Sequence, residues 1–116
     1  MSLSGAHTAA FRREVAQDGR VWSIRDGGGF PAPGPGDGPR AMPFWSKPSR
    51  AKRVVAQVDA YHDFDVVEIP FGDWLGGWLP GLERDGLLVG VNWAGRHATG
   101  FDLNPAHVAG WFPSRP

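Results

Sequence analysis

The stretch MPFWSKPSRAKRV, from Met42 to Val54, contains the join between a short strand and a helix. The apolar run within Arg40–Trp45 predicts the strand. Ser46 stands where a helix N-cap belongs, because its hydroxyl can accept a backbone N–H that the first turn leaves unpaired. Pro48 fits that first turn, where its missing N–H costs little. We therefore predict a strand that ends at Trp45 and a helix that is capped by Ser46.

The predicted helix has one apolar face and one polar face. Its apolar residues recur at i, i+3, i+4, i+7 spacing, which places them on one side of an α-helix: Ala51, Val54, Val55 and Val58. The opposite face carries Arg50, Lys52, Arg53 and Gln57. This spacing explains the cations as the solvated side of a packed helix, and contact with an anionic partner is the alternative interpretation.

On the N-terminal side of the join, the sequence predicts a helix, a strand and a long loop. Ser4 can cap the helix, and Gly19 can end it. The alternation of RVWSIR, Arg20–Arg25, is typical of a strand. Residues 26–41 contain ten Gly or Pro among sixteen, which supports neither a helix nor a central strand. We expect this loop to be a long hairpin connection, with a mobile lid as the alternative.

On the C-terminal side, helix and strand patterns alternate. The predicted elements are a strand at Phe64–Ile69, a helix at Phe71–Leu82, strands at Leu87–Trp93 and Ala98–Leu103, and a last helix capped by Asn104. The first of these strands is nearly all apolar, so we expect it to be buried on both faces. An interior Pro costs about 3 kcal/mol relative to Ala, so Pro80 predicts a kink or restart near Leu79. The order of elements predicts an α+β fold in which a mixed sheet has helices mainly on one face.

Length and composition limit the classes of protein. A chain of 116 residues is the size of a single domain, which we take to span residues 1–116. Its net charge is zero, so no overall field attracts nucleic acid or anionic lipid. The absence of cysteine excludes disulfides and thiolate metal sites. No apolar run approaches the roughly 20 residues of a membrane span, so we expect a cytoplasmic protein without a membrane partner.

The usual signatures of catalysis are absent from the sequence. No G-x-x-x-x-G-K-[ST], H-E-x-x-H or G-x-S-x-G motif occurs. The histidines at positions 7, 62, 97 and 107 include no i, i+4 pair that would suggest metal ligation. We therefore predict no catalytic residue, no metal site and no cofactor.

The best candidate for a binding site is the segment GVNWAGRHATGFD. It gathers polar and aromatic groups around one predicted turn, where recognition residues are often displayed: Asn92, Trp93, Arg96 and His97. The alternative is that Asn92 serves the turn, Trp93 fills the core, and the other two are only solvated.

A second candidate combines Trp45 with Arg50, Lys52 and Arg53. Cations for phosphates and an aromatic ring for base stacking are what binding of nucleic acid requires. The neutral total charge disfavours nucleic acid as a partner, so we keep this function as a third hypothesis.

The sequence resembles a small bacterial family known as domain of unknown function 2750. The resemblance extends from about Val21 to Trp111 and depends on three elements: PFWSKPSRA before the helix, WLPGLERDG, and the strand GVNW. It implies a small α+β domain. No activity is established for the family, so the resemblance supplies no catalytic residues.

These observations lead to two main hypotheses of function. The first is a non-enzymatic protein-binding or regulatory domain that uses the surface around Trp45, Trp93, Arg96 and His97. The second is a small-ligand-binding protein or an unassigned enzyme, whose pocket would lie beneath the loop at residues 26–41.

Overall fold

In the computed structural model, which describes residues 3–34 and 36–112, five strands form two small sheets. In the first sheet, β1 (Arg20–Arg25) pairs antiparallel with β3 (Asp65–Pro70). The second sheet has the order β2-β4-β5. In it β2 (Ala41–Phe44) runs parallel to β4 (Leu88–Ala94), and β4 pairs antiparallel with β5 (Thr99–Leu103). The second sheet is mixed, as predicted, but the strands form two sheets where the prediction had one.

The two sheets are joined through the backbones of two tryptophans. The N–H of Trp22 donates to the carbonyl oxygen of Trp45 at 2.8 Å, and the reverse bond measures 2.7 Å. The hydroxyl of Ser23 adds a buried bond of 2.8 Å to the carbonyl oxygen of Pro43. These bonds link β1 to the end of β2, so the two sheets share one folded body.

The helices follow the predicted order, and one of their predicted N-caps is corrected here. They are α1 (Leu3–Asp18), α2 (Pro48–Gln57), a 3₁₀ helix (Asp59–Tyr61), α3 (Phe71–Asp73), a π-helical turn (Trp74–Trp78), α4 (Leu79–Arg84) and α5 (Pro105–Ala109). Helix α1 begins before Ser4, so the prediction of Ser4 as its cap is wrong. Asn104 does cap α5, because its Oδ1 accepts from the N–H of Ala106 at 2.8 Å. Together with the sheets, these helices confirm the α+β class.

The break predicted near Leu79 takes the form of a π-helical turn. The segment changes from α to π geometry at Trp74 and resumes as an α-helix at Leu79. Pro80 cannot donate an N–H to the preceding turn, so a regular α-helix would lose a hydrogen bond there. The π turn buries Trp74 completely among aromatic rings of the core, including Phe44 and Phe112.

Two apolar clusters are buried in the fold. The larger cluster contains the inward residues of α1, the π turn, α4 and α5, together with Phe44, Val89 and Val91 of the three-stranded sheet. The smaller cluster contains Trp45 and Trp93 and is covered by α2 through Ala51 and Val54. Most helices thus lie in one cluster, and α2 lies alone in the other.

The expectation of a fully buried strand at Phe64–Ile69 is wrong. Along β3 only Ile69 is buried, and the other residues are exposed or half-buried. The reason is position, because β3 belongs to a sheet of two strands and pairs on one side only, with β1. An apolar run alone cannot tell a central strand from an edge strand.

The loop at residues 26–41 has a turn at its start and an aromatic contact further on. Asp26 and Gly29 exchange backbone hydrogen bonds of 3.1 Å. Phe30 packs edge-on against Trp78, with ring centroids 4.7 Å apart. Within the part of the chain that the structure describes, no helix is long and apolar enough to cross a membrane.

Candidate functional site at the bulge of strand β4

Strand β4 is interrupted by a bulge near its end. The register with β5 shifts between Val91 and Ala94, and Asn92 has a φ of 48°, in the left-handed region. Such a φ is unusual for a residue other than Gly, although Asn adopts it more readily than most. Regular alternation would place Trp93 on the same face as Val89 and Val91. The bulge instead sends Trp93 into the smaller cluster.

Asn92 is buried and bonded to Ser46, which precedes α2. The backbone N–H of Ser46 donates to Asn92 Oδ1 at 3.0 Å, and Asn92 Nδ2 donates to Ser46 Oγ at 3.1 Å. The predicted cap at Ser46 is therefore wrong. The N-cap of α2 is Lys47, which makes no side-chain capping bond. Ser46 does not cap the helix because its fully buried hydroxyl lies in a network with three other side chains.

The same hydroxyl connects the bulge to an ion pair between α1 and α2. Ser46 Oγ donates to Glu14 Oε1 at 2.8 Å and accepts from Arg50 Nη1 at 2.9 Å. Arg50 also donates to both oxygens of Glu14, through Nη1 and through Nη2 at 3.2 Å. Glu14 is well enclosed, with 13% of its side chain exposed, against 38% for Arg50. The four side chains of Glu14, Ser46, Arg50 and Asn92 form what we call the polar network.

Within this network the carboxyl of Glu14 is held in its ionised form. The hydrogen bond from Arg50 is the main cause that lowers the pKa of Glu14 below its ordinary value of 4.5. Burial acts in the opposite direction, and the bond from Ser46 and the charges of Arg50 and Lys47 add to the lowering. A carboxylate that is held in this way is a poor proton acceptor near neutral pH.

Above the polar network lies a cleft of about 250 Å³. Helices α1 and α2 supply Ala10, Arg50, Arg53 and Val54, and the end of β4 with the following turn supplies Asn92, Trp93, Ala94 and Gly95. Arg53 is exposed and makes no ion pair with any residue in the ranges 8–34 and 36–112. The cleft therefore combines apolar walls with one guanidinium that has no carboxylate partner there.

Trp93 is fixed from three sides. Its indole N–H donates to Asp102 Oδ1 across the β4–β5 pair at 2.9 Å, and its carbonyl oxygen accepts the indole N–H of Trp45 at 2.8 Å. The ring lies so close to Gly90 and Gly100 that a Cβ at either position would come within 2.6 Å of a ring atom. Only glycine at these two positions leaves room for the indole.

The structure brings four of the seven predicted binding residues together. Arg50, Arg53, Asn92 and Trp93 all line the cleft. Trp45 does not, because it is fully buried beneath the bulge. The expectation that its ring contributes to a surface for recognition is therefore wrong. Its indole supports the carbonyl of Trp93 instead.

Arg96 and His97 follow the cleft along the chain and are exposed. His97 lines a second groove, which shares Trp93 with the cleft and to which the loop residues Pro33 and Gly34 also contribute. The pocket that we predicted beneath the loop is not the cleft, since none of the described loop residues lines the cleft. Among the described residues, no three His, Asp or Glu gather as they would to hold a metal ion.

Sequence reasoning missed Glu14 and misassigned Ser46. Glu14 lies on α1, 32 positions before Ser46 and 36 before Arg50, so no local spacing connects them. A weak signal was available, because Glu14 directly precedes the buried Val15 and so lies at the border of the apolar face.

Comparison with known proteins identifies the family of this chain. The family model described as "Protein of unknown function (DUF2750)" matches residues 8–110. The chain belongs to the DUF2750 family. No curated protein and no solved structure matches it. The matched residues of this DUF2750 domain include the whole polar network and every residue that lines the cleft.

Proposed function

We propose that this DUF2750 domain is a protein-binding domain, and that its cleft receives one side chain of the partner. The observation that carries the proposal is the size and lining of the cleft. Its volume of about 250 Å³ is below the roughly 300–1,000 Å³ of sites for small molecules. A single side chain fits such a volume, and the rest of a partner would cover the surrounding surface.

The construction of the cleft also supports recognition. Two of its lining residues, Arg50 and Asn92, belong to the polar network. The hydrogen bonds of this network join α1, α2 and the bulge, so both residues are held before any partner arrives. Asn92 retains an uncommon backbone conformation within this network. Strain of this kind is concentrated at functional sites, where surrounding contacts maintain it. A preformed site loses less conformational entropy on binding.

Catalysis receives less support from the same groups. The carboxylate of the polar network, Glu14, is already engaged by Arg50 and Ser46. The hydroxyl of Ser46 is fully buried, so it is out of reach for a substrate. Stacking of nucleic-acid bases receives little support, because Trp45 and Trp93 beside the cations are both buried. A protein partner is the hypothesis that agrees best with this arrangement.

Photo-crosslinking in the native host tests the proposal. A photoreactive benzoylphenylalanine replaces Arg96, which is exposed and follows the cleft residue Gly95. We expect a specific protein adduct that disappears when Ala94→Trp fills the cleft. The matched control is Ala106→Trp, a second exposed alanine outside the cleft, which should leave the adduct intact.

Two results would overturn the proposal. One is the absence of any protein adduct from position 96 together with a small metabolite that co-purifies with the folded domain. The other is an adduct that persists unchanged in Ala94→Trp, because the partner would then not depend on the cleft.

A further inference from the structure

We infer that the group received by the cleft is a carboxylate, on a glutamate or aspartate side chain of the partner. This inference rests on the proposed function and specifies the chemistry of the partner. Three observations carry it: the charge balance of the cleft, the unused N–H groups of Arg50, and the apolar walls.

The charge balance leaves one positive charge at the cleft. Arg50 and Arg53 both line it, and Glu14 in the polar network neutralises the charge of Arg50. Among the described residues, no carboxylate lines the cleft and none pairs with Arg53. Lys47 is engaged by Asp18 at 2.7 Å. One monoanion therefore restores neutrality.

Arg50 can contribute to the binding of that anion without leaving Glu14. A guanidinium has five N–H groups, and Glu14 and Ser46 together accept three of them from the two Nη atoms. The Nε–H and the second N–H of Nη2 have no acceptor among the described residues. These two N–H groups lie on one edge of the guanidinium plane, which is the edge that binds a carboxylate through two parallel bonds. With 38% of its side chain exposed, Arg50 is accessible to a ligand.

The walls of the cleft favour an amino-acid side chain over a phosphate. Ala10, Val54, Trp93 and Ala94 offer apolar surface that the methylene groups of glutamate can cover. A phosphate monoester carries about −1.5 to −2 charges at pH 7, which is more than the one uncompensated guanidinium balances. The experiment must therefore distinguish binding of phosphate from binding of a carboxylate.

The test is an NMR titration of the intact domain with two small probes. N-acetyl-glutamate N-methylamide supplies the carboxylate, and N-acetyl-glutamine N-methylamide is its neutral isostere. We expect saturable shifts of the Ala94 and Gly95 amides with the glutamate probe, at millimolar affinity, and at least about tenfold weaker binding of the glutamine probe.

Two variants connect the binding to the cleft. Arg53→Gln should lower the affinity of the domain for the glutamate probe at least about tenfold. Lys52→Gln removes the same charge from the neighbouring exposed position, which does not line the cleft, and should change the affinity less than about twofold. The amide spectrum of each variant also shows that the domain remains folded.

Three results would overturn the inference. They are equal affinity for the two probes, equal effects of Arg53→Gln and Lys52→Gln, and the absence of saturable shifts up to about 50 mM of the glutamate probe. Tighter binding of inorganic phosphate than of the glutamate probe would overturn it as well. If one of these results coincides with an adduct that depends on Ala94, the protein-binding function stands and only the carboxylate is rejected.

Discussion

Trp45 donates its indole N–H to the carbonyl oxygen of Trp93, 2.8 Å away in the interior. The bond joins the end of strand β2 to the bulge of strand β4. A bulge leaves ladder groups unpaired, and this side chain satisfies one of them. Trp45, which the sequence suggested as a surface ring, is therefore a buried residue that holds the backbone of the cleft residue Trp93 in place.

Replacement of Trp45 by Phe should destabilise the domain by about 2–4 kcal/mol. The variant leaves the buried carbonyl of Trp93 without its donor and opens a small cavity. Urea unfolding of the purified protein measures the effect. Trp78→Phe is the control, because Trp78 is half-buried and its indole N–H has no acceptor among the described residues. A loss for Trp45→Phe no larger than for Trp78→Phe would contradict the structural role of the bond.

Two replacements of Asn92 should separate the contributions of backbone strain and of hydrogen bonding to the stability of the domain. Asn92→Ala loses both bonds to Ser46 and keeps a Cβ in the left-handed region, so we expect a loss of about 2–4 kcal/mol in the free energy of unfolding. Asn92→Gly loses the same bonds but adopts a φ of 48° without steric cost. Unfolding by urea should show Asn92→Gly to be more stable than Asn92→Ala by about 1 kcal/mol. The opposite order would argue against the assigned backbone conformation.

The ionised state of Glu14 should make the stability of the domain depend on acidity. Its pKa is lower in the folded protein than the ordinary 4.5, chiefly through the bond from Arg50. The folded state therefore binds the proton less tightly than the unfolded state does. This contribution to stability is present above pH 4.5 and is lost as the pH falls through the folded pKa.

Glu14→Gln tests this dependence. The variant should be less stable than the parent at pH 7 by about 2 kcal/mol, because it weakens charged hydrogen bonds to Arg50. The difference in stability between the variant and the parent should become smaller as the pH falls below 4.5. Thermal unfolding from pH 7 to pH 3 measures it, and a difference that stays constant over this range would show that Glu14 is not the titrating group.

Arg50 and Arg53 should respond differently to the same substitution. Arg50→Gln breaks the bonds to Glu14 and Ser46 and should cost about 2 kcal/mol in the free energy of unfolding. Arg53→Gln removes an exposed side chain without an ion pair to a described residue, so its effect should remain within about 0.5 kcal/mol. An equal decrease in the free energy of unfolding for both variants, measured with urea, would mean that Arg53 also has a structural role.

Several elements could be predicted because local chemistry specifies them. Asn104 caps α5 through a bond to a residue two positions ahead, and Pro80 interrupts the α-helix at the neighbouring turn. Interactions over so few positions can be recognised in the sequence itself. The pattern of Ala51 and Val54 also placed α2 correctly, with both side chains buried.

The site could be predicted only in part. Asn92 and Trp93 were predicted as binding residues because they are polar and aromatic groups near a turn. Arg50 and Arg53 were predicted because they are cations on one helix. Neither argument placed the two pairs in one cleft, because α2 and the end of β4 lie about 40 positions apart in the chain. Strand β3 was misjudged for a related reason, since apolar content does not specify how many neighbours a strand has.

By itself the sequence determined the kinds of elements, most of their positions and the composition of the core, since these depend on periodicity, caps and breakers within a few residues. Only the tertiary structure decided the face on which Trp93 is buried and the side chains to which Ser46 is hydrogen-bonded. A bulge of one residue reverses every later side chain of a strand. A buried hydroxyl bonds to whichever groups the packing brings within reach, and two of the groups bonded to Ser46, Glu14 and Asn92, are distant in the sequence.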